Sequence, residues 1–573
     1  MSRKGTGEEV CSIKLKGTQI LIKVLQEEGV DTIFGFPGGA VIDIYDDLVK
    51  SEVRHILVRH EQGAVHAADG YARASSKVGV CLVTSGPGAT NAVSGIASAY
   101  MDSIPLVVLT GQVPTNLIGN DAFQEVDIVG ITRPCTKHNY LVKSVDDLPR
   151  ILKEAFHIAR SGRPGPVLVD LPKDVVQATT NYRPIKSLNL RSYHPTYEPN
   201  GKQLPKVVEL IKRAKRPMVF AGGGVILSQA AEELREFAKK IRAPVTATLM
   251  GLGSFPGTDP MWLGMIGMHG TYRANMSSAE CDLMIAVGVR FDDRVTGKTD
   301  AFASQAKIVH IDIDPTSIRK NIPVTIPIVG DCKITLHKLN RLLDGEDLGE
   351  LEGARGPWFR QIAEWKATRP LAYEQGEVIK PQFVVEKLYE LSRGDAIITT
   401  EVGQNQMWAA QYYHFNRPNC FITSGGLGCM GFGLPAAIGA QIACPDRLVV
   451  DIAGDGSIQM NIQEMATAVQ YNLPLKVVIL NNRYLGMVRQ WQQFFYDRHY
   501  ACTEMDHAPD FVKLAEAYGA VGLRATRHEE VEAILERGLS TPKPVIMDFI
   551  VEREECVYPM VPAGAPITEM LLV

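Results

Sequence analysis

Cysteine is scarce in this chain. Ten Cys among 573 residues cannot build the dense disulfide scaffold of a small secreted domain, and no Cys-x-x-Cys pair is present for a structural zinc, so reduced thiols in a cytoplasmic protein are expected. An excess of charge of one sign is also missing. Lys and Arg number 60 against 64 Asp and Glu, a formal net charge of −4, which leaves neither a basic surface for nucleic acid nor an acidic tail. No stretch approaches the roughly 18 apolar residues of a membrane-spanning helix, and Met1–Lys16 carries basic residues with no apolar run that could act as a signal-peptide core. Gly and Pro, 51 and 33 residues, stay below the share that marks disorder. What is present is an ordinary globular balance, 45% apolar and 22% charged. At roughly 100–200 residues per domain, it has the length of three or four domains.

Short β-branched runs alternate with longer helical patterns from end to end. Val78–Thr84, Ile104–Leu109, Val167–Asp170, Met218–Phe220, Leu283–Val287, Ile308–Ile311, Ala396–Thr400, Leu448–Ile452, Leu475–Leu480 and Val545–Ile550 all read as buried parallel strands with crossover helices between them. The fold class is α/β, built as three doubly wound parallel-sheet domains. Two polar seams look like linkers: 182–205, rich in Pro, and 343–357, acidic and rich in Gly. They predict domains at 1–185, 195–345 and 365–573. The first and third share an echo. Residues 80–109 and 448–480 each read as a strand, a Gly-x-Gly turn, a helix ending near a Tyr, then Pro-Leu and a second strand. Either all βαβ units look alike, or these two domains are related.

Chemistry enters with Gly454-Asp455-Gly456-Ser457 and Asn481-Asn482, the second Asn lying 27 positions after the Asp. Asp455 follows one expected strand and Asn482 the next. Both therefore sit at carboxyl ends, where open parallel sheets bind ligands. A helix opening near Ser457 would offer free N–H groups to a phosphate. A carboxylate beside an amide oxygen suits Mg²⁺, a hard ion that shares itself with substrate phosphates. A diphosphate with its metal is the expectation. Gly426-x-Gly428-x-x-Gly431 also fits a dinucleotide pattern, but Pro435 falls where its helix should be running, which argues against that use.

GDGS followed by NN at this spacing resembles the thiamin diphosphate fingerprint. From FGFPGGAV at 34–41 to YPMVPAGAP at 558–566, the chain resembles the catalytic subunits of the acetohydroxyacid synthase (acetolactate synthase) family. The resemblance implies Asp455, Asn482 and the carbonyl of Tyr484 as Mg²⁺ ligands. It gives Gly428 and Met430 as the pyrimidine edge and wedge, and Val402, Gln404, Asn405, Gly456 and Ser457 as diphosphate contacts. Glu61 becomes the carboxyl partner of the aminopyrimidine across a dimer interface, a role favoured by a raised pKa in a dry pocket. Without that resemblance, Glu61 would pass for an exposed acid at a helix start, and Met430 for ordinary core.

Val289–Gly297, reading VRFDDRVTG, is similar to the signature of the biosynthetic, FAD-containing members. For FAD the resemblance implies Arg163, Gly222, Gly223, Thr248, Leu249, His269, Gly270, Arg290, Asp312 and Asp331. Taken alone, His269 would be a hydrogen-bonded core histidine. Gly39, Phe123, Gln124 and Lys173 are implied beside the substrate, with Arg290, Met487 and Trp491 shaping the pocket of the acceptor. The activity implied is decarboxylation of pyruvate and condensation with a second 2-ketoacid, pyruvate or 2-ketobutyrate. It is the first common step of branched-chain amino-acid biosynthesis. A homodimer or homotetramer is implied, with a small regulatory subunit. Phe36, Asn405 and Cys429 depart from the family's usual Tyr, His and Thr. Rival readings are an FAD-free catabolic synthase, a pyruvate oxidase, a nicotinamide-dependent dehydrogenase using the 426–431 turn, and an inactive assembly protein.

Overall fold

The computed structural model describes residues 13–185 and 187–573. The chain forms two compact units, one running up to Ala72 together with Lys77–His194, the other Arg73–Ser76 with Pro195–Val573. The division falls inside the first Pro-rich seam. Among the described residues no helix is long and apolar enough to cross a membrane.

The first unit is built on six parallel strands, Thr32–Phe36, Arg54–Leu57, Gly79–Val83, Leu106–Gln112, His138–Leu141 and Val167–Pro172. Numbered along the chain, they lie in the order 2-1-3-4-6-5. Ile13–Lys16 and Thr179–Tyr182 pair separately as an antiparallel ribbon. Helix Leu148–Arg160 turns Leu148, Ile151, Leu152, Ala155, Phe156 and Ala159 onto the sheet. Their spacing of three and four puts them on one stripe of the helix.

The second unit holds two such sheets. Pro217–Ala221, Val245–Ala247, Trp262–Met265, Leu283–Val287, Lys307–Asp312 and Ile326–Val329 lie in the order 3-2-1-4-5-6, the arrangement of dinucleotide-binding sheets. Ile397–Thr400, Phe421–Ile422, Val449–Gly454, Lys476–Asn481, Val521–Ala525 and Val545–Ile550 repeat the first unit's order, 2-1-3-4-6-5. The ladders within all three sheets are parallel.

All ten runs named from the sequence are strands. The second seam differs from expectation: from Leu351 it is helix, Leu351–Thr368, in spite of Gly353, Gly356 and Pro357. Burial outweighs those poor helix formers. Arg355 is fully buried and donates to the carbonyls of Ile211 and Ala214, and Trp358 Nε1 donates to Pro217 O at 3.1 Å.

Candidate cofactor site

In the third sheet, every residue singled out for diphosphate and metal follows the carboxyl end of a strand. Val402, Gln404 and Asn405 follow Ile397–Thr400; Gly428 and Met430 follow Phe421–Ile422; Asp455, Gly456 and Ser457 follow Val449–Gly454; Asn482 and Tyr484 follow Lys476–Asn481. The strands are largely buried, and the residues that follow their carboxyl ends gather on one edge of the sheet.

Asp455 is 1% exposed, and neither carboxyl oxygen has a hydrogen-bond partner. The main-chain N–H groups of Asn482 and Arg483 lie near enough to moderate it, yet burial still pushes its acid up to about 7. A buried carboxyl with no proton donor is costly, and a divalent cation reverses that cost. Beside it, Asn482 is held at both ends. Its Nδ2 donates to Gln404 Oε1 at 3.1 Å, and its Oδ1 accepts from Tyr484 N at 3.1 Å. Gln404 is held in turn through its Nε2, which donates to Gln490 Oε1 at 2.9 Å and Glu555 O at 3.0 Å. Two guanidinium groups lie over the Tyr484 ring, Arg489 at 5.2 Å and Arg553 at 4.6 Å. The sequence had given no sign of either cation. A carboxylate, an amide oxygen and a main-chain carbonyl are the kind of all-oxygen donors that suit Mg²⁺. Among the described residues no group of three or more His, Cys, Asp or Glu is placed to hold a metal.

Two local expectations change. No α-helix opens at Ser457: two 3₁₀ turns, Ile458–Met460 and Ile462–Glu464, follow it, and the next α-helix is Met465–Gln470. A helix dipole therefore does not serve this turn. Ser457 Oγ donates to Glu401 Oε2 at 2.7 Å. Asn405 Nδ2 bonds the carbonyls of Glu401 and Ile452 at 3.0 and 2.8 Å, so this amide braces the turn from within. Pro435 does not block the helix after the 426–431 turn, because Gly433–Ala443 holds it in its first turn, where a missing N–H costs nothing. Met430 is half-buried on that turn and outside the apolar clusters, unlike a core Met.

In the first unit the edge is the same. Gly39 follows Thr32–Phe36, Glu61 follows Arg54–Leu57, Phe123 and Gln124 follow Leu106–Gln112, and Lys173 follows Val167–Pro172. Glu61 opens helix Glu61–Ser75, is 9% exposed, and accepts from Asn91 Nδ2 at 3.0 Å. Gly86, at φ +57°, meets the Gln124 backbone; a Cβ there would lie 2.7 Å from Gln124 O. A Cβ at Gly88 would lie 3.2 Å from Glu61 Oε1. The Ser85–Gly88 turn thus brings Glu61 and Gln124 to one place. Phe123 projects at 89% exposure, and Lys173 Nζ donates to Gly39 O at 3.0 Å.

The middle sheet carries the flavin expectations at its carboxyl edge. Gly222 and Gly223, Thr248 and Leu249, His269 and Gly270, Arg290, Asp312 and Asp331 each end or follow a different strand. Close backbone approach explains the glycines: a Cβ on Gly222 would lie 2.2 Å from Gly288 O. His269 is buried, held near neutral by burial with its acid lowered to about 4, and its Nδ1 meets Pro559 O at 3.2 Å. Thr248 caps the 3₁₀ turn Leu249–Gly251 and Asp331 the helix Cys332–Leu343, accepting from Gly251 N and Ile334 N. Arg163 stands apart in the first unit, four residues before Val167–Pro172 and so at an amino edge, with Nε on Ser103 Oγ at 2.8 Å. Met487 and Trp491 share a face of helix Gly486–Phe495. The cation over the Trp491 ring is Arg294, at 5.9 Å, while Arg290 lies 3.8 Å from Asp292.

Sequence models of thiamine pyrophosphate enzymes match three stretches: the N-terminal TPP binding domain over 15–131, the central domain over 204–339, and the C-terminal TPP binding domain over 401–549. The chain is 50% identical to the acetolactate synthase large subunit of Haemophilus influenzae, covering 98% of both chains. It belongs to the acetolactate synthase family. Its likeness to the isozyme 3 large subunit of Escherichia coli is 51%, over 97% of this chain and 98% of that one. To acetolactate synthase 1, chloroplastic, of Nicotiana tabacum it is 48%, over 97% and 85%. The TPP binding models cover both Glu61 and Asp455.

Proposed function

We propose that the protein is a thiamin diphosphate-dependent acetolactate synthase, converting two 2-ketoacids, pyruvate with pyruvate or 2-ketobutyrate, into 2-acetolactate or 2-aceto-2-hydroxybutyrate. The observation that carries the reading is Asp455: a buried carboxylate without hydrogen-bond partners, beside a fixed Asn482. In this reading Asp455, Asn482 and the carbonyl of Tyr484 hold Mg²⁺. Gly428, Met430, Val402, Gln404, Asn405, Gly456 and Ser457 receive the cofactor. Bound thiamin diphosphate supplies the electron sink for decarboxylation and carbon–carbon bond formation. The chain supplies placement and protons. Glu61, steadied by Asn91, moves a proton at the aminopyrimidine. Gly39, Phe123, Gln124 and Lys173 border the reacting ketoacid. Arg290 offers a planar fork to the acceptor's carboxylate, with Met487 and Trp491 as its apolar wall.

FAD is assigned to the carboxyl edge of the middle sheet, supported by its 3-2-1-4-5-6 order and the close approach of Gly222 to Gly288. Gly223, Thr248, Leu249, His269, Gly270, Arg290, Asp312, Asp331 and Arg163 are its contacts in this reading. We assign the three domains to 1–185, 195–345 and 365–573, a cytoplasmic location, and a homodimer or homotetramer. The relatives' name, large subunit, supports a small regulatory partner.

The test follows acetolactate and carbon dioxide from pyruvate, with thiamin diphosphate and Mg²⁺, with and without FAD. Wild type should need all three cofactors. Glu61→Gln should lose roughly 10²–10⁴-fold in kcat, the usual worth of a positioned acid or base. Acetolactate formed without FAD would overturn the flavin assignment, and none under any condition would overturn the synthase reading.

A further inference from the structure

Glu401 is a buried carboxyl whose side chain has no part in the reading above. It directly follows strand Ile397–Thr400 and is fully buried. Among the described residues it has no ion-pair partner. It collects donors from two separate segments instead. Gly431 N donates to Oε2 at 2.7 Å, Leu434 N to Oε1 at 3.2 Å, and Ser457 Oγ to Oε2 at 2.7 Å. Gly431 and Leu434 flank the start of the eleven-residue helix Gly433–Ala443, whose first N–H groups lack partners within the helix and favour a negative charge. Glu401 therefore caps that helix from another strand, and a purely structural role would end there.

Two observations go further. Gly431, at φ +83°, is fixed on both sides: its N–H by Glu401 and its carbonyl by Asn461 Nδ2 at 2.6 Å. That fixes the chain immediately after Met430. In addition, the oxygen that accepts from Gly431 also accepts from Ser457, two residues past Asp455. One oxygen thus joins the turn carrying Met430 to the turn carrying Asp455. The neighbouring acid, Asp451, is equally buried but has only Thr399 Oγ1 at 3.2 Å, and its Oδ2 has no partner. Burial pushes both acids upward; the charge on Glu401 raises Asp451 further, while the donors around Glu401 hold it back. Asp451, poorer in donors, keeps the proton and leaves the charge on Glu401.

We propose that Glu401 is a positioning residue, a buried carboxylate that ties the pyrimidine-side turn Gly428–Gly431 to the diphosphate-side turn Gly454–Ser457 and holds the two halves of the cofactor site in register. This rests on the thiamin diphosphate reading of those turns. The test is a double-mutant cycle on cofactor affinity in the full-length, cofactor-free protein. Thiamin diphosphate is titrated at saturating Mg²⁺ and followed by protein fluorescence, and melting temperatures are taken before addition. Glu401→Gln keeps the volume but turns an N–H toward one donor or another. Glu401→Gln and Ser457→Ala should each raise Kd about tenfold, as the loss of a charge-assisted hydrogen bond would. The double variant should be no weaker than either single one, because both cut the same tie. Kd values that multiply, to about a hundredfold, would overturn the proposal. So would Glu401→Gln with a lowered melting temperature and an unchanged Kd, the signature of a helix cap alone. A wild type that binds no thiamin diphosphate would instead overturn the site reading beneath it, an outcome distinct from a wild type that binds and a cycle that fails.

Discussion

Gly486 shows how finely single residues set the metal side of the site. A Cβ built there would lie 2.0 Å from Gln404 Oε1 and 2.7 Å from Asn482 Nδ2, the two atoms whose 3.1 Å hydrogen bond fixes the Asn482 amide. Gly486→Ala should therefore part that pair and raise the Mg²⁺ concentration for half-activation by at least about tenfold, a typical cost of losing an outer-sphere support. Metal titration of activity at saturating thiamin diphosphate checks it, and an unchanged half-activation point would refute it. Gly39→Ala is the contrast, since a Cβ there meets nothing within 4 Å. It should leave the melting temperature alone, so a loss of activity would report on whatever approaches that main chain. At this scale the sequence was legible where a motif names both residue and spacing, as with Asp455 and Asn482. Partners were not legible. Nothing in the order of residues says that Ser457 donates to Glu401, that Arg553 lies over Tyr484, or that Arg294 and not Arg290 lies over Trp491, because these contacts join segments far apart in the chain.

Among the elements, the strands named from sequence are mostly the inner ones of each sheet. Gly79–Val83, Leu106–Gln112, Leu283–Val287, Val449–Gly454 and Lys476–Asn481 are fully or nearly fully buried, so apolar residues dominate them in spite of single polar positions such as Asp451. Edge strands such as Arg54–Leu57 and His138–Leu141 are partly exposed and lose that signal. The inner strand Val245–Ala247 is only three residues long, too short for a pattern. Helix Leu351–Thr368 was hidden by its composition, since Gly353, Gly356 and Pro357 speak against a helix locally and burial of Arg355 and Trp358 decides it globally. That gives a test. Arg355 supplies the carbonyls of Ile211 and Ala214, at the end of helix Leu204–Arg213, with their donors. Arg355→Met keeps bulk and removes the donors, leaving buried carbonyls unpaired at about 1–3 kcal/mol each. The melting temperature should drop by several degrees with Kd for thiamin diphosphate unchanged. An unchanged melting temperature would mean that water satisfies those carbonyls.

Across the whole molecule, the echo between residues 80–109 and 448–480 is matched by the sheets themselves. The first and third share the order 2-1-3-4-6-5, while the middle one is 3-2-1-4-5-6. A shared order in two sheets out of three favours related domains over the general likeness of βαβ units. Each of the two presents half of the expected chemistry at its carboxyl edge, an acid at Glu61 in one and a metal site at Asp455 in the other. The domain pattern was visible in sequence because periodicity and Gly-x-Gly turns are local. How the halves meet is not local, and the family resemblance implies that they meet between subunits. Mixing inactive chains tests this. Glu61→Gln and Asp455→Ala should each abolish activity alone. If each cofactor takes Glu61 from one copy and Asp455 from the other, a mixed dimer gathers both lesions in one site and leaves the second site wild type. Co-refolded or co-expressed in equal amounts, half of the dimers are mixed and each has one working site, so about a quarter of wild-type activity should return. Sites built within one chain would put a lesion in every site of every dimer, and the mixture would stay as inactive as its parts.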